Sequence, residues 1–151
     1  MQTPIGYRAS RAGRVSIPGH VYLVTTVVAY RRPIFRDFEL AWAVCRGMHD
    51  PQCWGDARLL CWVLMPDHWH GLVRLGERDG LSIVMNRFKA RTAKALRCTQ
   101  QSLVWDRGFH DHALRREEHE RSVARYIVCN PVRAGLTDNV LAYPYWNCVW
   151  L

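Results

Sequence analysis

The sequence predicts an α+β domain in which a ferredoxin-like antiparallel sheet carries helices packed on one face. Three observations lead there. The patterned segments follow one another as βαββα(β)α. The second and third strands are separated only by Pro66-Asp67, a connection so tight that they must run antiparallel. Apolar residues recur at helical spacing in the long segments, whereas the short ones are rich in β-branched and aromatic residues. With 151 residues, 49% of them hydrophobic and 23% charged, the chain reads as one domain over 1–151. A core of that size needs neither a disulfide nor a structural metal merely to fold.

The elements follow in order. Residues 1–19 carry Arg8, Arg11 and Arg14 among Gly, Ser and Pro, and form a basic N-terminal arm. HVYLVTTVVAY (20–30) is the first strand. Asp37 caps a helix to Met48 that presents Phe38, Ala41, Trp42 and Cys45 on one face. ARLLCWVLM (57–65) and HWHGLVRL (68–75) are the second and third strands. A helix from Leu81 to Arg97 turns Val84, Phe88, Ala95 and Leu96 inward and Arg87, Arg91 and Lys94 outward. The segment 101–116 is a loop with a short strand near 112–115. Glu117 opens a third helix, with Glu118 and Glu120 suiting the positive end of its dipole, and Pro131 ends it after Asn130. An aromatic tail, 136–151, docks on the core.

Charge narrows the partner. The chain has a formal net charge of +8, and of its 21 basic residues all but Lys89 and Lys94 are arginine. A codon bias toward arginine would explain the ratio but not the excess of charge. Arginine pairs with phosphate in bidentate fashion and stacks on bases, so the balance points to nucleic acid. No run of 18 apolar residues occurs, and the N-terminus has no apolar signal segment. Six cysteines are scattered without a CxxC pair, as suits reduced thiols. The expected address is the cytoplasm, at the nucleoid, and the expected state a monomer, with a dimer as the alternative.

The chemistry centres on MPDHWHGLV (65–73). On a strand, residues two apart share a face, so His68 and His70 point one way and Trp69 the other. Two imidazoles on one side can bind a divalent cation. By spacing alone, a hydrogen-bonded pair of core histidines serves equally well. RYIVCNPVRAGL (125–136) supplies the context. Tyr126 and Asn130 are four apart and share a helix face. If that face lies over the histidines, the Asn130 carbonyl could be a third ligand and Tyr126 a nucleophile beside it. A core aromatic and a helix-terminal asparagine are the plainer readings of the same two residues.

His68-Trp69-His70 matches the histidine–hydrophobic–histidine (HUH) motif of single-strand nucleases, and the chain more specifically resembles the REP-associated tyrosine transposases. The likeness runs from Gly13-Arg14 and Pro18-Gly19 through Met65-Pro66-Asp67-His68, Val104-Trp105, Gly108-Phe109 and Asp111-His112-Ala113-Leu114-Arg115. It continues over Tyr126-Ile127 and Asn130-Pro131-Val132-Arg133-Ala134-Gly135-Leu136 to Tyr143-Pro144. The resemblance implies an HUH nuclease fold, a Mg2+ or Mn2+ ion on His68, His70 and Asn130, and Tyr126 as nucleophile. It implies a single-stranded DNA endonuclease and strand transferase that forms a covalent 5′-phosphotyrosine. Its substrates would be DNA hairpins, the repetitive extragenic palindromes, in transposition or in processing of those elements. The family commonly has asparagine where this chain has Asp67, which could add an oxygen near the metal or cap the turn, and the turn is the preferred reading. Ser122 and Asn130 stand one turn either side of Tyr126, so a two-tyrosine replication initiator is disfavoured.

His110-Asp111-His112 is a second HxH, but its centre is acidic, and it is read as orienting substrate or a ligand rather than binding metal. His20, His49 and His119 lack partners at ligand spacing. For DNA contacts the candidates are Arg8, Arg11 and Arg14 in the arm and Arg87, Arg91 and Lys94 on the helix face. Arg115, Arg116 and Arg133 flank the proposed site. The helix-face charges read equally as a solvated surface. Two other function classes stay open: a non-catalytic hairpin-binding module, and a zinc hydrolase built on the two histidines.

Overall fold

The computed structural model describes residues 16–97, 103–115 and 118–151. The arm arginines Arg8, Arg11 and Arg14, together with Arg116 and Glu117, lie outside the described residues. Among the described residues five strands form one antiparallel sheet: β1 (Val21–Val27), β2 (Arg58–Leu64), β3 (His68–Arg74), β4 (His110–Ala113) and β5 (Trp146–Cys148), in the order β4-β1-β3-β2-β5. The helices are α1 (Phe38–Met48), α2 (Pro51–Trp54), α3 (Leu81–Arg97), α4 (Glu120–Val128) and α5 (Asn130–Arg133). Among the described residues no helix is long and apolar enough to cross a membrane.

The α+β class and its antiparallel sheet are as the sequence predicts. The layering is richer than a single helical face. Helices α1 and α3 cover one side, over a core of Val24, Val44, Trp69, Val73, Val84, Phe88 and Trp105. Helix α4 covers the other, where Ala124, Ile127 and Val128 meet Leu60, Cys61, Val63 and Leu72. An irregularity in β2 between Leu59 and Cys61 lets consecutive Leu60 and Cys61 both join this second core.

Local chemistry explains the boundaries. Asp37 caps α1 by accepting from the Glu39 and Leu40 amides at 2.9 and 3.2 Å. The inner face of α1 is Leu40, Ala41, Val44, Cys45 and Met48; Phe38 and Trp42 instead stack on each other in solvent, 6.1 Å apart. The apolar stripe is wider than the buried one, so spacing alone misjudged its centre. Asp50 caps the short α2. The short strand expected at 112–115 is β4, and it lies at 110–113. Helix α4 begins at Glu120, three residues beyond the predicted start. The aromatic tail does dock: β5 pairs with β2, and the Tyr143 hydroxyl donates to the Leu64 carbonyl at 2.5 Å.

Trp69 is fully buried, 4.5 Å centroid to centroid from Phe88 and 6.2 Å from Trp54. Gly71, two residues along the same face, makes room for it. A Cβ at Gly71 would lie 2.1 Å from the Trp69 ring. We therefore expect Gly71→Ala to lower stability by about 1–3 kcal/mol, the usual cost of overpacking a tight core. Urea denaturation should show an earlier midpoint, and an unchanged midpoint would mean that the indole can move aside.

Candidate active site on the second sheet face

Strand alternation puts His68, His70 and Leu72 on the α4 side of the sheet and Trp69, Gly71 and Val73 on the other. In the β1–β3 register, Thr25 stands opposite His70 and Val27 opposite His68. Each histidine is held through Nδ1. The Thr25 hydroxyl lies 2.7 Å from His70 Nδ1, and the Asp67 carboxylate 2.6 Å from His68 Nδ1. The ring centroids are 4.7 Å apart with planes inclined at 80°. An imidazole that donates from Nδ1 presents the lone pair of Nε2, and a carboxylate or hydroxyl on the far nitrogen is the usual support for a metal-ligating histidine.

The electrostatics agree with that state. Burial, followed by the neighbouring His68 and the charges of Arg133 and Arg31, pushes His70 down to about 3. His70 is therefore neutral near pH 7, as a ligand must be. Asp67 Oδ2 also faces Arg31 Nε at 3.8 Å. The carboxylate thus orients His68, a role beyond the turn-capping expected of it.

Helix α4 lays Ala124, Ile127 and Val128 on the sheet and leaves Tyr126 57% exposed on its outer side. The helix does not run on to Asn130. It ends at Val128, and a new turn, α5, starts at Asn130 with Pro131 in its first turn, where a missing N–H is harmless. From α5 the Arg133 guanidinium returns over the Tyr126 ring, 3.9 Å from its centroid, and donates to the Tyr126 carbonyl at 2.6 Å. Arg133 thus touches Tyr126 while its charge bears on His70. Asn130 is half-buried and makes no side-chain hydrogen bond among the described residues.

The donors fit a divalent cation: two imidazoles with their far nitrogens tied by Thr25 and Asp67, and the Asn130 amide, from the turn after α4, as the third candidate. Among the described residues no group of three His, Cys, Asp or Glu side chains is placed to hold a metal ion by itself.

The remaining predicted residues divide. Arg87 pairs with Asp79 at 2.8 Å, and Arg91 with Asp50 at 3.0 Å and the Gln52 amide oxygen at 2.9 Å. Both belong to the layer over the Trp69 face, opposite the histidines. Lys94, on the same helix, is exposed. Arg115 lines a cavity of about 370 Å³ beside Ser16, Tyr22, Phe109 and His112. The second HxH lies on edge strand β4, where His112 Nε2 is 2.9 Å from Glu118 and His110 stands opposite Thr25. Reading the sequence alone missed Thr25, Arg31 and the bond from Asp67 to His68. Aligning strands one and three would have found Thr25; nothing in the sequence marks Arg31.

Residues 16–130 match the family model described as transposase, IS200-like. The chain belongs to that family. It is 27% identical over 84 residues to the Escherichia coli (strain K12) REP-associated tyrosine transposase, an alignment covering 56% of this chain and 50% of that protein. A Haemophilus influenzae relative is 30% identical over 94 residues, covering 54% and 53% of the two chains. The chain thus spans about half the length of the curated relatives it matches. A solved REP-associated tyrosine transposase bound to a REP hairpin superposes with a TM-score of 0.69 at 24% identity, over 88% of this chain and 79% of that one. That likeness bears on the fold.

An unfolded histidine takes up its proton near pH 6.5, whereas His70 in the fold does so only near 3. Between those values the unfolded chain binds the extra proton, so stability falls as pH falls, by up to about 1.4 kcal/mol per unit. His70→Gln should flatten the decline of the urea midpoint between pH 6 and pH 4. An equal slope in the variant would contradict the assignment.

Proposed function

We propose that this chain is a metal-dependent, site-specific single-stranded DNA endonuclease and strand transferase that cuts beside DNA hairpins through Tyr126. The observation that carries the reading is the link made by Arg133. It packs on the proposed nucleophile while its charge acts on His70, one of two imidazoles whose Nδ1 is tied by a neighbouring side chain. Membership of the transposase family supports DNA processing, and the hairpin bound by the similar solved structure supports the substrate class.

A Mg2+ or Mn2+ ion on His68, His70 and Asn130 would supply Lewis-acid polarisation of the scissile phosphate. The chain's own groups do the rest. Tyr126 Oη attacks phosphorus and loses its proton to solvent. The new Oη–P bond forms as the P–O3′ bond breaks, its electron pair stays on O3′, and O3′ gains a proton from solvent. The product is a 5′-phosphotyrosine and a free 3′ hydroxyl, and reversal with another 3′ hydroxyl rejoins strands without external energy. Exposure of Tyr126 lets a strand approach in line. Arg133, with guanidinium N–H groups to spare, is placed to meet the phosphate. Thr25 and Asp67 keep His70 and His68 from rotating.

The alternative is a hairpin-binding module without cleavage, and one assay separates the two. With hairpin oligonucleotides and Mn2+, wild type should form a denaturation-resistant protein–DNA adduct. Tyr126→Phe should form none yet still bind, and His70→Ala should lose cleavage more than binding. An adduct in Tyr126→Phe moves the nucleophile elsewhere; none in wild type favours the binding module. Affinity should also fall steeply between 50 and 200 mM salt, by about 10³-fold or more if six phosphates are contacted.

A further inference from the structure

The chain leaves β1 at Val27, opposite His68, and enters a turn of unfavourable backbone. Tyr30 and Arg31 have φ of 60° and 55°, and among the described residues they are the only non-glycines with positive φ. The left-handed region crowds Cβ, and bulky residues persist there only where their surroundings over-determine it. The surroundings do so here. Val28 N donates to the Asp67 carbonyl at 2.9 Å, Ala29 N to the Val104 carbonyl at 2.8 Å, and Arg31 N to the Val28 carbonyl at 2.9 Å. Arg32 ties the far side, donating to Ala29 and Leu103 carbonyls at 3.2 and 2.5 Å.

A glycine at either position would adopt this backbone without strain. The sequence spends the strain on two side chains instead. Arg31 sits with Nε 3.8 Å from the carboxylate that holds His68, while its side chain stays 63% exposed. Tyr30 is 86% exposed, the most exposed aromatic among the described residues. Neither belongs to a core, so packing explains neither. An open aromatic face next to a free guanidinium edge suits one chemical unit, an unpaired base and its phosphate.

We propose that the Tyr30-Arg31 turn is a nucleotide-binding element of the histidine site. Tyr30 stacks on an unpaired base of the single strand, Arg31 takes the adjoining phosphate, and the strained turn fixes both beside Asp67 and His68. The inference rests on the reading of this chain as a single-strand DNA enzyme, and extends it to residues that touch the strand next to the cut.

The test measures binding in EDTA, so that no cleavage enters. The probes are a fluorescein-labelled ten-residue oligo-dT and an abasic ten-mer with the same backbone. Tyr30→Gly relieves the strain, so its melting temperature should equal or exceed that of wild type. It should nonetheless bind oligo-dT about tenfold more weakly, with little change on the abasic probe. Tyr30→Phe should behave as wild type, and Arg31→Ala should weaken both probes. The proposal is overturned if Tyr30→Gly binds oligo-dT normally, or loses both probes equally. A wild type that forms no covalent adduct, beside a base-dependent loss in Tyr30→Gly, would remove the cleavage reading and keep the binding element. An adduct in wild type with Tyr30→Gly unaffected would do the reverse.

Discussion

The site depends on the alternation of β3. A strand that must drive Trp69 into the aromatic core has no choice about its neighbours: His68 and His70 emerge together on the opposite face. Slipping the register by one residue would bury two imidazoles among Phe88 and Trp54 and expose an indole, a loss that no local rearrangement recovers. The tight Pro66-Asp67 connection and the pairing of β3 on both sides with β1 and β2 hold that register. The chemistry is thus a by-product of a packing decision made on the other side of the sheet.

A shared face is not yet a site, because imidazoles rotate. Their rotation is stopped by groups from two other places in the chain: Thr25 across the ladder on β1, and Asp67 one residue before the strand. Helix α4 then seals this face with Ile127 and Val128 and sets Tyr126 outward, and the break at Cys129 lets α5 turn Arg133 back onto the tyrosine ring. Proline at the start of α5 is what makes the break cheap.

Much of this was legible in the sequence, and what was not has physical causes. The strand at 21–27 announced itself through β-branched and aromatic residues, those at 58–64 and 68–74 as one apolar run interrupted by Pro66-Asp67, and Asp37 through its capping position. The histidine face followed from period two alone. The stripe of α1 was misjudged because Phe38 and Trp42 are apolar yet stack outside the core. Strand β5 was hidden because three residues of an aromatic tail carry no period, and its place depends on the edge that β2 offers. Arg87 and Arg91 read as a free basic face because their carboxylate partners, Asp79 and Asp50, are eight and 41 residues away in sequence. The role of Asp67 turned on a side-chain direction, which spacing does not encode.

The central claim is that the two imidazoles present Nε2 to one cation. Pulsed EPR of Mn2+ bound to the protein with hairpin DNA reads this directly, since an imidazole on the metal gives a nitrogen coupling that disappears when that histidine is removed. The account predicts couplings from two imidazole nitrogens, reduced to one in His68→Ala and in His70→Ala. A spectrum without nitrogen coupling, or one unchanged in both variants, would contradict it.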